Sequence, residues 1–367
     1  MLVDPRIARM AKVLVEYSLG VQPGWTVTID STTAALPLVQ AAYLEVLRVG
    51  GHPYVLLDAP GLRTALLLNG TDEQLLRENP YKRLMLERSD AVLTIMGEEN
   101  TRQFNNIDPS RLTLLSTGQR ELGALRMRRI LDERPGSLTL FPTEAYAQDA
   151  EMSLEEFQDF VFHACLLDSD EDPAERWREV SRQQQRTVDW LAGKREVHVE
   201  APGTDLTMSI EGRTFINSDG KRNFPSGEVF TSPVEESVRG HITFTYPTSY
   251  NGRSVQGVKL RFEEGRVVEH SAETGEDFLS AMLKVDDGAA RLGEFAIGTN
   301  PGVTRITRNV LFDEKIAGTI HCALGNAYPN AGGKNKSAIH WDIVTDMRNG
   351  RITVDGELLY ENGEFVI

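Results

Sequence analysis

Near the C-terminus the chain reads SAIHWDIVTDM, Ser337 to Met347, with His340 and Asp342 two residues apart in a segment of strand character. Side chains repeat every two residues along a strand, so this imidazole and this carboxylate face the same way while Trp341 and Ile343 turn to the other side. The pair is either two polar groups on a wet surface or two ligands of a metal ion. A second histidine, His321, closes the apolar run KIAGTIHCALG on the face opposite Ile320. Glu228 in PSGEVFTSP and Glu294 in LGEFAIGTN each follow a glycine and lack the charge-rich neighbours of a solvated face. Glycine there lets the backbone turn sharply and aim a carboxylate inward. Two Glu, two His and one Asp suit a pair of divalent cations: carboxylates can bridge two ions, and imidazoles favour zinc or cobalt over calcium.

Other chemistries fit less well. LGNAYPNAGGKNKS has the look of a phosphate loop, but Asn335 follows Gly333-Lys334, and Tyr328 stands where the first glycine belongs. The pattern G-x-x-x-x-G-K-[ST] therefore fails, and no G-x-G-x-x-G follows an early strand. The nucleophile elbow G-x-S-x-G is missing as well. Cys322 adjoins His321, yet neighbours on a strand point to opposite faces, so Cys322 reads as a small buried hydrophobe. His52, His163, His198, His241 and His270 have no partner at ligand spacing and read as surface or satisfied core residues. Glu235 and Glu236 read as a solvated pair.

The elements that must hold these residues fall into two textures. Asp4-Pro5 caps a helix with apolar positions at Ile7, Met10, Ala11, Leu14 and Tyr17, ended by Gly20. TVTID, PYVLL, AVLTIM and SLTLF alternate with helical segments, which predicts a mostly parallel sheet in a three-layer α/β domain. Ser153 with Glu156 makes a capping box, and Asp172-Pro173 opens an amphipathic helix to about Leu191, stopped at Gly193. From Val197 the chain becomes short alternating strands, with hairpin signals at Asn251-Gly252, Asn349-Gly350, Asp355-Gly356 and Asn362-Gly363. We expect an N-terminal α/β domain over 1–194 and an α+β, β-rich domain over 195–367 that carries the metal residues.

Composition narrows the class. A net charge of −15 argues against nucleic acid, whose phosphates need a basic footprint. Two cysteines cannot build a disulfide framework and suggest a reducing compartment. The start MLVDPRIARMAKVL lacks the apolar run of a signal peptide, and no stretch approaches a membrane span. The expectation is a cytoplasmic protein with no membrane partner.

The segments NFPSGEVFTSPVEESVRG, LGEFAIGTN, LFDEKIAGTIHCALGNAYP and SAIHWDIV, in that order, resemble the thermophilic aminopeptidase family of metallopeptidases, which includes the aminopeptidases T and S. The N-terminal texture and AEMSLEEFQDFVFHACLLDSDEDPAERW are similar to the family too, so the likeness covers nearly the whole chain. The resemblance implies metal ligands at Glu228, Glu294, His321, His340 and Asp342, and an active-site tyrosine at Tyr328, beside or on the metals. It also implies a homodimer with an internal cavity and two divalent ions such as zinc, cobalt or magnesium. One departure is the short PNAGGKNKSAI between Tyr328 and His340, where many members carry a longer insertion; this bears on pocket shape and specificity.

The implied activity is an aminopeptidase that releases N-terminal residues from peptides. Two ions about 3.5–4 Å apart would activate a water, with Glu228 or Glu294 as the bridging carboxylate. Tyr328 could ligate a metal or stabilise the oxyanion. The general base is unassigned. The rival readings are a dinuclear hydrolase of another amide or ester, and a non-catalytic metal- or peptide-binding homologue.

Overall fold

Asp4 accepts the Arg6 amide at 2.8 Å, and Pro5 fills the first helical turn, so the chain enters as the helix Pro5–Lys12. It widens to a π-helical segment over Val13–Ser18, and Gly20 follows with φ +59°. The computed structural model describes residues 4–129, 134–169, 171–250 and 252–367. They divide into two compact units: one runs up to Arg178 and takes in Gly220–Pro225, and the other comprises Glu179–Asp219 and Ser226–Ile367. The division falls inside the helix Pro173–Leu191, rather than at its end near residue 194.

The first unit has a five-stranded parallel sheet in the order His52–Asp58, Thr26–Thr32, Ala91–Met96, Gly136–Leu140, Asn223–Phe224. Helices fill the connections, as Leu36–Arg48, Pro80–Arg88 and Arg120–Arg128 do. The α/β expectation therefore holds. The last strand, Asn223–Phe224, arrives from far along the chain, which local patterning does not reveal. The Ser153 capping box forms with Glu156.

The second unit is β-rich. One antiparallel sheet has eight strands, in the order Arg266–Ser271, Lys259–Glu263, Arg239–Thr243, Thr204–Ser209, Glu196–Ala201, Arg351–Val354, Glu357–Glu361, Glu364–Phe365. A five-stranded antiparallel sheet runs His340–Asp346, Thr319–Gly325, Leu292–Gly298, Glu228–Thr231, Ile216–Ser218. One hydrophobic core serves both sheets: Val199, Leu206 and Ile352 from the first meet Phe295, Ile320, Cys322 and Trp341 from the second. Asp355-Gly356 and Asn362-Gly363 turn hairpins with both central residues at positive φ, the geometry of tight two-residue turns. Asn349-Gly350 instead links strands of different sheets: His340–Asp346 lies at the edge of one, and Arg351–Val354 lies between two partners in the other. Asn251 lies outside the described residues, although Thr248–Tyr250 and Arg253–Val255 on either side of it do pair.

Candidate metal centre

The five-stranded sheet of the second unit separates its side chains by parity. Trp341 and Ile343, Ile320, Cys322 and Leu324, and Phe295 and Ile297 enter the core. Their neighbours in sequence go to the other face, where register aligns them across strands: His340 opposite Gly325, Asp342 opposite Ala323, His321 opposite Ala296, Glu294 opposite Ala323, and Glu228 opposite Gly298. The strand parity read for SAIHWDIV is the parity observed. Small residues, Gly325, Ala323, Ala296 and Gly298, occupy the gaps and leave room above the sheet.

Two glycines permit this arrangement for different reasons. Gly227 has φ +120°, and an added Cβ would lie 2.7 Å from the Asn300 Cβ. Gly293 has no positive φ; it sits at the bulge where register shifts between Leu292 and Glu294, and a Cβ there would meet the Asn326 carbonyl at 2.3 Å. Close backbone approach, not a sharp turn, requires this second glycine.

The acidic and imidazole groups converge. His321 Nε2 stands 3.4 Å from Glu228 Oε2 and 3.7 Å from Glu294 Oε1. His340 Nε2 stands 3.1 Å from Glu294 Oε2 and 3.5 Å from Asp342 Oδ1. Glu294 thus reaches both imidazoles, one through each oxygen. His340 Nδ1 lies 2.8 Å from the Asn326 carbonyl, to which it must donate, so Nε2 is the atom free to accept a cation. Tyr328 sets its ring 5.1 Å from that of His340 and 5.2 Å from that of Phe230.

Two residues went unread in the sequence. Glu314 joins His321 and Asp342 in a further group whose ligand atoms all lie within 4.8 Å of one another. Lys315 is fully buried, donates to Glu228 Oε1 at 2.8 Å, and also donates to Glu314. By holding Oε1, Lys315 leaves Glu228 Oε2 facing His321. Their sequence context, Asp313-Glu314-Lys315, resembles a solvated charge run, and only burial separates it from one. Glu235, by contrast, lies away from the cluster, paired with Arg213 at 2.6 Å and the Lys334 amide. The other histidines also stay out: His163 contacts Asp168, His198 contacts Asp205 and His270 contacts Ser280, while His52 and His241 are exposed.

Burial and charge compete here. Burial opposes a charged His321, but Glu294 and Glu228 prevail and push it up to about 9. His340 is likewise disfavoured by burial yet raised by Asp342 and Glu294 to about 12. Asp342, despite burial, is drawn down to about 2 by His340. Burial lifts Glu314 to about 8 against the pull of Lys315. Tyr328 is raised well above its usual range by burial and by the carboxylates of Glu294 and Asp342, so its hydroxyl keeps its proton. The cluster attracts positive charge, and protons occupy it when nothing else does.

The residues fit divalent ions. Glu228 Oε2, both ring nitrogens of His321 and Asp342 Oδ1 are buried with no hydrogen-bond partner. Such atoms cost free energy unless something satisfies them. Carboxylate and imidazole are the donor set of zinc, cobalt and their neighbours.

The family model for "Thermophilic metalloprotease (M29)" matches residues 3–365. The chain belongs to the M29 metalloprotease family. Aminopeptidase 2 of Geobacillus stearothermophilus is 29% identical over 409 aligned positions, covering 99% of this chain and 98% of that one. Those 409 positions exceed the 367 residues here, so the relative carries residues that this M29 chain lacks. The solved AmpT structure from Thermus thermophilus matches with TM-score 0.86 at 22% identity, over 99% of each chain, and shares the fold. A 2,5-dihydroxypyridine dioxygenase from Pseudomonas putida KT2440 shares it more distantly, with TM-score 0.62, 16% identity, and coverage of 100% of this chain and 98% of that one.

Proposed function

We propose that this M29 protein is an aminopeptidase that cleaves the N-terminal residue from peptides with a free α-amine, using two divalent ions such as zinc, cobalt or magnesium. The observation that carries the reading is the set of buried, unpartnered ligand atoms facing one another on a single sheet face. Since the fold also serves a dioxygenase, architecture alone does not select the reaction. The donor set and the family do.

Glu228, Glu294, His321, His340 and Asp342 would hold the ions, with Glu294 as the carboxylate shared between the two imidazoles. Bound there, divalent ions supply Lewis acidity, which polarises a carbonyl and makes water nucleophilic at neutral pH. The residues do the rest. Lys315 pins one oxygen of Glu228 and so orients the other. The Asn326 carbonyl fixes the tautomer of His340. The Tyr328 hydroxyl donates to the oxyanion as the amide carbon becomes tetrahedral, a contribution of about 3–4 kcal/mol for such a donor. Glu314, which the five-ligand set leaves over, would carry a proton to the departing amine. We assign the protein to the cytoplasm, as a homodimer. No helix among the described residues is long and apolar enough to cross a membrane.

The test is direct. Chelator-stripped protein resupplied with cobalt or zinc should hydrolyse leucyl-p-nitroanilide and bind two ions per chain by elemental analysis. A metal-loaded protein inert toward a panel of amino-acid amides and peptides would sink the assignment.

A further inference from the structure

The N-terminal α/β unit has a cavity of its own, about 190 Å³ in volume. It lies between one face of the parallel sheet and the helices Pro80–Arg88 and Arg120–Arg128. Leu56, Met85, Leu86, Val92 and Leu122 form its apolar wall, while Asp30, Lys82 and Arg126 bring charge to it. An engineered apolar cavity of about 150 Å³ accepts benzene, so this one has room for a small organic molecule.

The chain leaves Thr26–Thr32 for His52–Asp58 on one side, then crosses back to Ala91–Met96 on the other. The sheet's switch point therefore falls between Thr26–Thr32 and Ala91–Met96, and the cavity lies against the sheet face beside it, lined by Thr28 and Asp30 of one strand and Val92 of the other. Asp30 and Thr94 are register partners across that switch. Arg126 donates to Thr94 Oγ1 and, among the described residues, pairs with no carboxylate. Lys82 donates to Asp58 at 3.0 Å and to Asp30 at 3.4 Å. No ion pair joins Asp30 to Arg126, so a carboxylate and a guanidinium flank the switch without neutralising each other.

These charges balance: two carboxylates, Asp30 and Asp58, against Lys82 and Arg126. A simple organic anion would gain Arg126 but meet Asp30, and a simple cation the reverse. A zwitterion meets both. We propose that this cavity binds an α-amino acid with an apolar side chain, its carboxylate on Arg126, its ammonium on Asp30 and its side chain against the Leu56, Met85, Leu86, Val92 and Leu122 wall. Such a ligand is of the class an aminopeptidase releases, but the inference and its test do not require that activity.

The experiment titrates L-leucine into full-length, chelator-treated protein, followed by calorimetry and ligand-observed NMR. Chelation removes the metal centre as a competing site. Saturable binding is expected, weakened roughly tenfold or more for 4-methylpentanoate, which lacks the ammonium, and for isopentylamine, which lacks the carboxylate. Arg126→Gln and Asp30→Asn should each weaken leucine binding by a similar factor, and Leu122→Trp, which fills the cavity, should abolish it. Arg126→Lys, which keeps the charge, should retain part of the affinity and carries the test if Arg126→Gln fails to fold. The proposal falls if chelated wild-type protein binds no leucine, or if Arg126→Lys and Leu122→Trp both bind it as wild type does. 4-Methylpentanoate binding as tightly as leucine would overturn the amino-acid assignment.

Discussion

The two faces of the five-stranded sheet are built from the same few stretches of chain and could hardly differ more. On one, Trp341, Ile343, Cys322, Phe295 and Ile297 are sealed in a shared core. On the other, three carboxylates, Asp342, Glu294 and Glu228, crowd around the imidazoles of His340 and His321 and leave polar atoms unsatisfied. The apolar face stabilises, and the stability it supplies offsets the cost of keeping buried ligand atoms unpartnered on the other face. Alternation along one strand thus couples folding to chemistry without mixing them.

Substitutions on the two faces should therefore fail differently. The largest effect belongs to the charged face: His340→Ala should lower metal stoichiometry below two and cut peptidase activity by a factor of roughly a hundred or more. Its metal-free thermal midpoint should stay within a few degrees of wild type; retention of both ions would strike His340 from the ligand set. One residue on, Trp341→Ala should cost about 3–5 kcal/mol in urea unfolding, since it empties a fully buried ring from the core. If Trp341→Ala unfolds like wild type but loses metal, the separation of faces is wrong. Lys315→Met should cost about 3–5 kcal/mol in the metal-free protein, because it strands two buried carboxylates. Added zinc should restore part of that loss, and equal destabilisation with and without zinc would remove Lys315 from the site.

The smallest effect concerns Asp286, which braces the entry to the His340 strand. It accepts the Ala338 amide at 2.7 Å and the Ser337 hydroxyl at 2.8 Å, and those bonds, the Ala338 amide foremost, hold its carboxyl below the usual range. A carboxyl lowered in the folded state stabilises above its unfolded value, near pH 4, and loses that contribution as pH falls through its folded value. Asp286→Asn should therefore be modestly less stable than wild type at pH 7, with the gap closing below pH 4. A gap that stays constant throughout the acid range would assign the effect to packing.

Legibility followed how local each signal was. His340 and Asp342 could be paired on one face because strand parity spans two residues. The capping box at Ser153 and the turns at Asp355-Gly356 and Asn362-Gly363 are local as well. Residue type and local context nominate Glu228, Glu294 and His321, but their convergence depends on sheet register over long separations, which spacing does not encode; the resemblance implies it. Glu314 and Lys315 were missed since charge in sequence says nothing about depth. Gly293 was read correctly as a special position but for the wrong cause, because a bulge exists only relative to a neighbouring strand. Asn349-Gly350 carries a hairpin signal, yet the strands it joins belong to different sheets.

The segment between Tyr328 and His340 leaves the sheet and returns to it at one place. Gly325 and His340 are register partners, and the Asn326 amide donates to the Ile339 carbonyl at 2.7 Å. The loop therefore closes on its own base, like a drawer that can be lengthened without moving the frame. Residues can be added or lost beyond that closure while Asn326 still orients the imidazole.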